Sequence, residues 1–126
     1  MIAASAAVTL TLALPATGGA HTGCHSARCT ERVAAKRCSQ ARPVSCIHRA
    51  ALHWRVSYSM LRRKAWCESR FIARASNGSH FGIFQFAPST WATTPYRSRW
   101  IFSAKWSALA GAWMHHRGRG HEWSCV

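Results

Sequence analysis

The chain has 126 residues with 17 Lys and Arg, no Asp and only Glu31, Glu68 and Glu122, giving a net charge of +14 and a pI near 11.3. Its length suits one small domain with a modest core. So strong a positive self-repulsion requires an anionic partner or surface, and so few carboxylates leave almost no choice of general acid.

In chain order, residues 2–14 form a short uncharged apolar run, followed by Pro15 and the small residues Gly18, Gly19 and Ala20. This is the order of an export signal over residues 1–20, with cleavage expected after Ala20. The run is shorter than the roughly 20 apolar residues of a membrane span, so no stable membrane insertion is expected. The expected location is secreted and cell-wall associated. Residues 21–45 are rich in Cys and Arg and lack a sustained apolar period, with one Ala-rich helix expected over 31–38 and stopped before Pro43. Cys24, Cys29, Cys38, Cys46, Cys67 and Cys125 are an even set, for which an exported chain makes disulfides the default. Their spacings give no close CxxC pairs, and His25, His48 and His121 stand at no helical offset, so neither a metal nor a cofactor is expected. The pairing among the first four cysteines stays open.

Residues 46–126 form the expected main domain, and all seven Trp, both Tyr and all five Phe lie from Trp54 onward. A helix is expected over 46–53. Ser57 is placed to cap a second over 58–68 that buries Leu61 and Ala65. Asn77-Gly78 marks a turn, 81–86 reads as a short extended segment, and Pro88 opens a short helix. Ser103 can cap the last long helix, in which Trp106, Leu109, Ala110 and Trp113 recur at offsets of three, four and seven, and Gly118 ends it.

Glu68 stands at the end of the second helix in Trp66-Cys67-Glu68-Ser69-Arg70-Phe71. Glycoside hydrolysis ordinarily uses two carboxyl groups flanking the bond, so a lone Glu68 favours a reaction in which the substrate supplies its own nucleophile. It can act as an acid only if an apolar wall of Trp66, Phe71, Phe84 and Phe86 keeps it protonated near neutral pH, against the pull of Arg70.

Cys67-Glu68-Ser69-Arg70-Phe71, then Asn77, then Gly82-Ile83-Phe84-Gln85-Phe86, Pro88-Ser89-Thr90-Trp91 and a Trp-rich Ala helix ending at Glu122-Trp123-Ser124-Cys125 make an order that resembles the lytic transglycosylases of goose-lysozyme-like fold. The resemblance covers about residues 46–125. It implies an α+β, mostly α, disulfide-bonded lysozyme-like domain with a short extended segment beside a cleft. It further implies an enzyme cutting the β-1,4 bond between N-acetylmuramic acid and N-acetylglucosamine with a 1,6-anhydro product. Glu68 would be the catalytic acid and later the base. Ser69, Gly82, Gln85 and Phe86 would line the substrate site, and Trp91, Tyr96 and Trp106 would stack on sugars, core packing being the competing role for these three. Cys67 and Cys125 are expected to pair, which would bring Glu122 near Glu68. Were the two to face each other, a water-using muramidase would be the alternative; the other role for Glu122 is an ion pair with an Arg. A different class is a non-catalytic cationic protein that binds walls or acts on membranes. The expected partners are peptidoglycan glycan strands and anionic wall polymers. Nucleic acid is not expected, because no helix-turn-helix, zinc-finger or RNA-binding motif is visible.

Overall fold

Pro43 occupies the first turn of helix α1 (Pro43–Trp54), where its missing N–H costs nothing, and Arg55 ends the helix in the left-handed conformation with its N–H on Ala51 O. The structure, a computed structural model, describes residues 37–125. Helix α2 (Tyr58–Ser69) begins at Ser57, whose Oγ accepts from the Met60 N–H at 3.3 Å. Helix α3 (Pro88–Ala92) again has a proline in its first turn. Helix α4 (Ala104–His116) is capped by Ser103, whose Oγ accepts from the Trp106 N–H. A 3-10 turn over Gly120–Glu122 follows.

Helix α1 packs mainly on α4 and also on α2. Small residues permit the close approach: α4 buries Ala104, Ser107, Ala108, Ala110, Gly111, Ala112 and Met114, against Ile47, Ala50, Leu61 and Ala65 from α1 and α2. Gly111 is fixed by its neighbour, since a Cβ there would sit 2.7 Å from the ring of Phe84. A loop supplies the rest of the core, with Ile83, Phe84 and Phe86 fully or almost fully buried. Burying a loop requires its polar backbone to be satisfied. Phe81 and Phe86 exchange both backbone hydrogen bonds at 3.0 and 2.8 Å, Gly82 N–H donates to Ala75 O at 2.9 Å, and Gln85 Nε2 donates to Ala75 O and Gly82 O.

That loop corrects the expected fold. The segment 81–86 is not an extended strand beside a cleft. Phe81 pairs with Phe86 in one isolated bridge, and residues 82–85 between them are a tight turn with Gly82 at φ 81° and Gln85 at φ 48°. Two left-handed residues within six end any ladder before a second pair can form. The described residues therefore contain no β-strand and build a disulfide-bonded all-α domain of four helices, not an α+β lysozyme-like fold.

Two disulfides staple the helices. Cys38–Cys46 joins α1 to the segment before it, and Gln40 on that segment accepts from the Ala104 N–H at 2.8 Å and donates to Phe102 O at 2.7 Å, anchoring the start of α4. Cys67–Cys125 ties α2 to the end of the described chain across a separation of 58 residues. The expected export signal, the 31–38 helix over most of its length, Cys24 and Cys29 lie outside the described residues.

Candidate functional site

The Cys67–Cys125 bridge lays the segment after α4 against α2, and a cavity of about 130 Å³ lies between them, lined by Glu68, His80, Gln85, Phe86, Thr90, Met114, Glu122, Trp123 and Ser124, with Ala87. Trp123 anchors that tail: its Nε1 donates to Phe84 O at 2.6 Å, and its ring stacks on His115 at 5.4 Å and 11°. Lys64 adds a second anchor, donating to Gly120 O at 2.9 Å from a buried position. Gly120 has to be glycine because a Cβ would overlap the His115 ring.

Burial raises the pKa of Glu68, partly offset by Lys64, His80 and a hydrogen bond from the Cys125 backbone. Arg70 stands away from it, stacked over the Trp66 ring at 4.6 Å. Burial, with Lys64 assisting, depresses His115 to about 4, and its buried Nε2 finds no hydrogen-bond partner. The two groups act on stability with opposite signs. Unfolded His115 takes up a proton near 6.5 while the folded form resists until about 4, so stability is lost as pH falls through that window. Glu68 instead costs stability as pH rises past its unfolded value of 4.5, because the unfolded chain ionises first. His115→Phe should therefore flatten the acid-side fall of urea-unfolding stability between pH 6.5 and 4, and Glu68→Gln should raise stability at neutral pH. An unchanged acid slope in His115→Phe would remove His115 as its source.

The structure brings Glu68, Gln85 and Phe86 together at the cavity. Ser69 is buried and donates back to Ala65 O at 3.2 Å, within its own helix. Gly82 is buried under Ile101 O, and Trp91 is buried against Phe86 at 5.2 Å. Tyr96 and Trp106 form a separate cluster, in which the Tyr96 hydroxyl accepts from Trp54 Nε1 at 3.0 Å and the two rings lie 5.8 Å apart. Glu122 lines the cavity but is held by Arg119, whose Nη2 donates to Oε2 at 2.9 Å and whose Nε donates to Oε1.

A second arrangement went unrecognised in the sequence. Guanidinium groups lie over aromatic rings around the surface: Arg62 over Phe71 at 5.3 Å, Arg70 over Trp66 at 4.6 Å, Arg74 over Trp100 at 5.0 Å and Arg99 over Trp106 at 4.7 Å, where Lys105 also sits at 4.3 Å. The one ion pair among the described residues is Arg119 with Glu122, so none of these four guanidinia pairs with a carboxylate among the described residues. The only local clue was the spacing of four between Trp66 and Arg70.

Fold and surface together define a disulfide-bonded, all-α, strongly basic domain. No protein-family profile, curated protein or solved structure matches the chain. The resemblance to lytic transglycosylases is accordingly corrected, and the transglycosylase, muramidase and peptidoglycan-cleaving readings go with it. Cleavage between two sugars needs a groove that holds both, and the sheet-bounded cleft that would form one is missing among the described residues. The cavity beside Glu68, about 130 Å³, falls below the roughly 300–1,000 Å³ usual for small-molecule sites.

Proposed function

We propose that this domain is a binding module for anionic wall polymers in an exported, oxidising setting. The observation that carries this reading is the set of ring-stacked guanidinia at Arg62, Arg70, Arg74 and Arg99, none of them paired with a carboxylate among the described residues. A guanidinium held over a ring keeps N–H donors to offer, in a fork that matches a carboxylate or phosphate. The ring also restrains a long side chain in advance, so less rotamer freedom is lost on binding. A polymer with repeated acidic groups can engage several such forks at once. The two disulfides among the described residues support the exported setting, because such bonds persist where thiols are not kept reduced.

The test is retention of the purified protein on an immobilised polyol-phosphate wall polymer and on a neutral glucan. Displacing counterions from about four acidic groups should weaken polymer binding on the order of 50-fold between about 50 and 200 mM salt. Equal retention on the neutral glucan, or binding indifferent to salt, would overturn the proposal.

A further inference from the structure

One surface of the domain carries exposed large apolar side chains. At the end of α2 the chain turns through two consecutive left-handed residues, Arg70 at φ 54° and Phe71 at φ 65°. Glycine is the usual residue at such a helix end, and adjacent non-glycine residues there are strained. The turn brings the Phe71 ring to 5.2 Å from Trp66 and leads directly into Ile72. Trp66 is 46% exposed and Ile72 57%, two of the most exposed large apolar side chains described. A guanidinium stands at each end of the ring pair, Arg62 on Phe71 and Arg70 on Trp66.

We propose that Trp66, Phe71 and Ile72 form a tip by which the protein docks on an anionic lipid bilayer, with Arg62 and Arg70 taking headgroup phosphates. Trp settles at the membrane–water boundary, where its ring is half in the apolar layer, and Arg keeps its stem in that layer while its head reaches phosphate. Peripheral attachment strengthens with the apolar area buried in the interface and with attraction to anionic lipid, and this tip offers both. The net charge of +14 complements an anionic surface. Docking is peripheral, since among the described residues no helix is long and apolar enough to cross a membrane. The inference shares Arg62 and Arg70 with the polymer reading and differs from it in resting on the exposed apolar side chains of Trp66 and Ile72.

The test uses the full chain with vesicles of phosphatidylcholine containing about one third phosphatidylglycerol, against phosphatidylcholine alone, with the immobilised wall polymer measured in parallel. Binding to the anionic vesicles should exceed binding to the neutral ones at least ten-fold. Ile72→Ser, which alters an exposed side chain and leaves the core intact, should weaken vesicle binding about five-fold and leave polymer binding unchanged. Arg62→Gln with Arg70→Gln should weaken vesicle binding about 25-fold at low salt. Quenching of tryptophan fluorescence by brominated lipid should fall in Trp66→Phe. Vesicle binding and quenching indifferent to Ile72→Ser and Trp66→Phe would overturn the proposal, as would an equal loss of polymer binding in Ile72→Ser, which would make the tip a polymer contact. Failure of polymer binding with vesicle binding intact would sink the polymer reading alone.

Discussion

Replacing Cys67 and Cys125 with serine should lower the thermal unfolding midpoint by about 20 °C. Closing a loop across 58 residues removes freedom from the unfolded chain worth about 4 kcal/mol. A small domain loses roughly 4–8 °C per kcal/mol. The folded side of the balance adds to the effect, because the bridge holds the tail whose Trp123 covers Phe84, Phe86 and His115. Without it, the tail keeps polar contacts such as Lys64 to Gly120 O, Trp123 to Phe84 O and Arg119 Nη1 to Thr93 Oγ1, none of them covalent. Calorimetry of the double variant beside the wild type, with and without reductant, checks this. A wild type whose midpoint is insensitive to reductant under unfolding conditions, together with a serine variant of equal midpoint, would show that the bridge contributes nothing.

The second large effect concerns binding. A variant with Arg62, Arg70, Arg74 and Arg99 changed to Gln should bind the anionic wall polymer about 100-fold more weakly at low salt, each lost charge-assisted contact accounting for several-fold. Its salt dependence should become correspondingly shallower. The control changes Arg42, Arg49, Arg97 and Arg117 to Gln, which removes the same charge from exposed positions that stack on no ring among the described residues. That control should lose about ten-fold, the share due to overall charge. Equal losses in the two variants would mean that total charge acts and that stacking confers nothing.

Local chemistry made the helices legible in the sequence. Ser57 and Ser103 cap helices because a short hydroxyl reaches the orphan N–H groups of the first turn, and Pro88 starts one because proline lacks an N–H to satisfy. Pro43, expected only as a stop to the segment before it, instead opens α1 three residues ahead of the expected start at 46. Segment 81–86 misled for the converse reason. Its aromatic and β-branched residues suit a strand, but the left-handed backbone at Gln85 comes from the surroundings, which bond the Gln85 amide to Ala75 O and Gly82 O, and not from the residue type. The resemblance of motif order rested on that segment together with Glu68-Ser69 at the end of α2, and the all-helical fold overturns it.

The cavity was only partly legible. Glu68, Gln85 and Phe86 were singled out in the sequence, whereas Met114, Trp123 and Ser124 reach the cavity through long-range packing and the bridge. Among the stacked guanidinia, Arg70 and Trp66 are neighbours along a helix end. Arg74 and Trp100 meet only after the intervening loop has folded. Scarcity of carboxylates is visible in the sequence, and it is why these Arg side chains meet no acidic partner among the described residues.

The bond from Cys67 to Cys125 also decides how the molecule responds to tension. A pull applied between the two ends of the described chain enters α2 directly, so the stretch from 68 to 124 carries none of the load while the bond is intact. Roughly 200 Å of contour is thereby withheld from extension. A molecule tethered at its carboxyl end would yield first in α1 and the first turns of α2, with the cavity and its tail still closed.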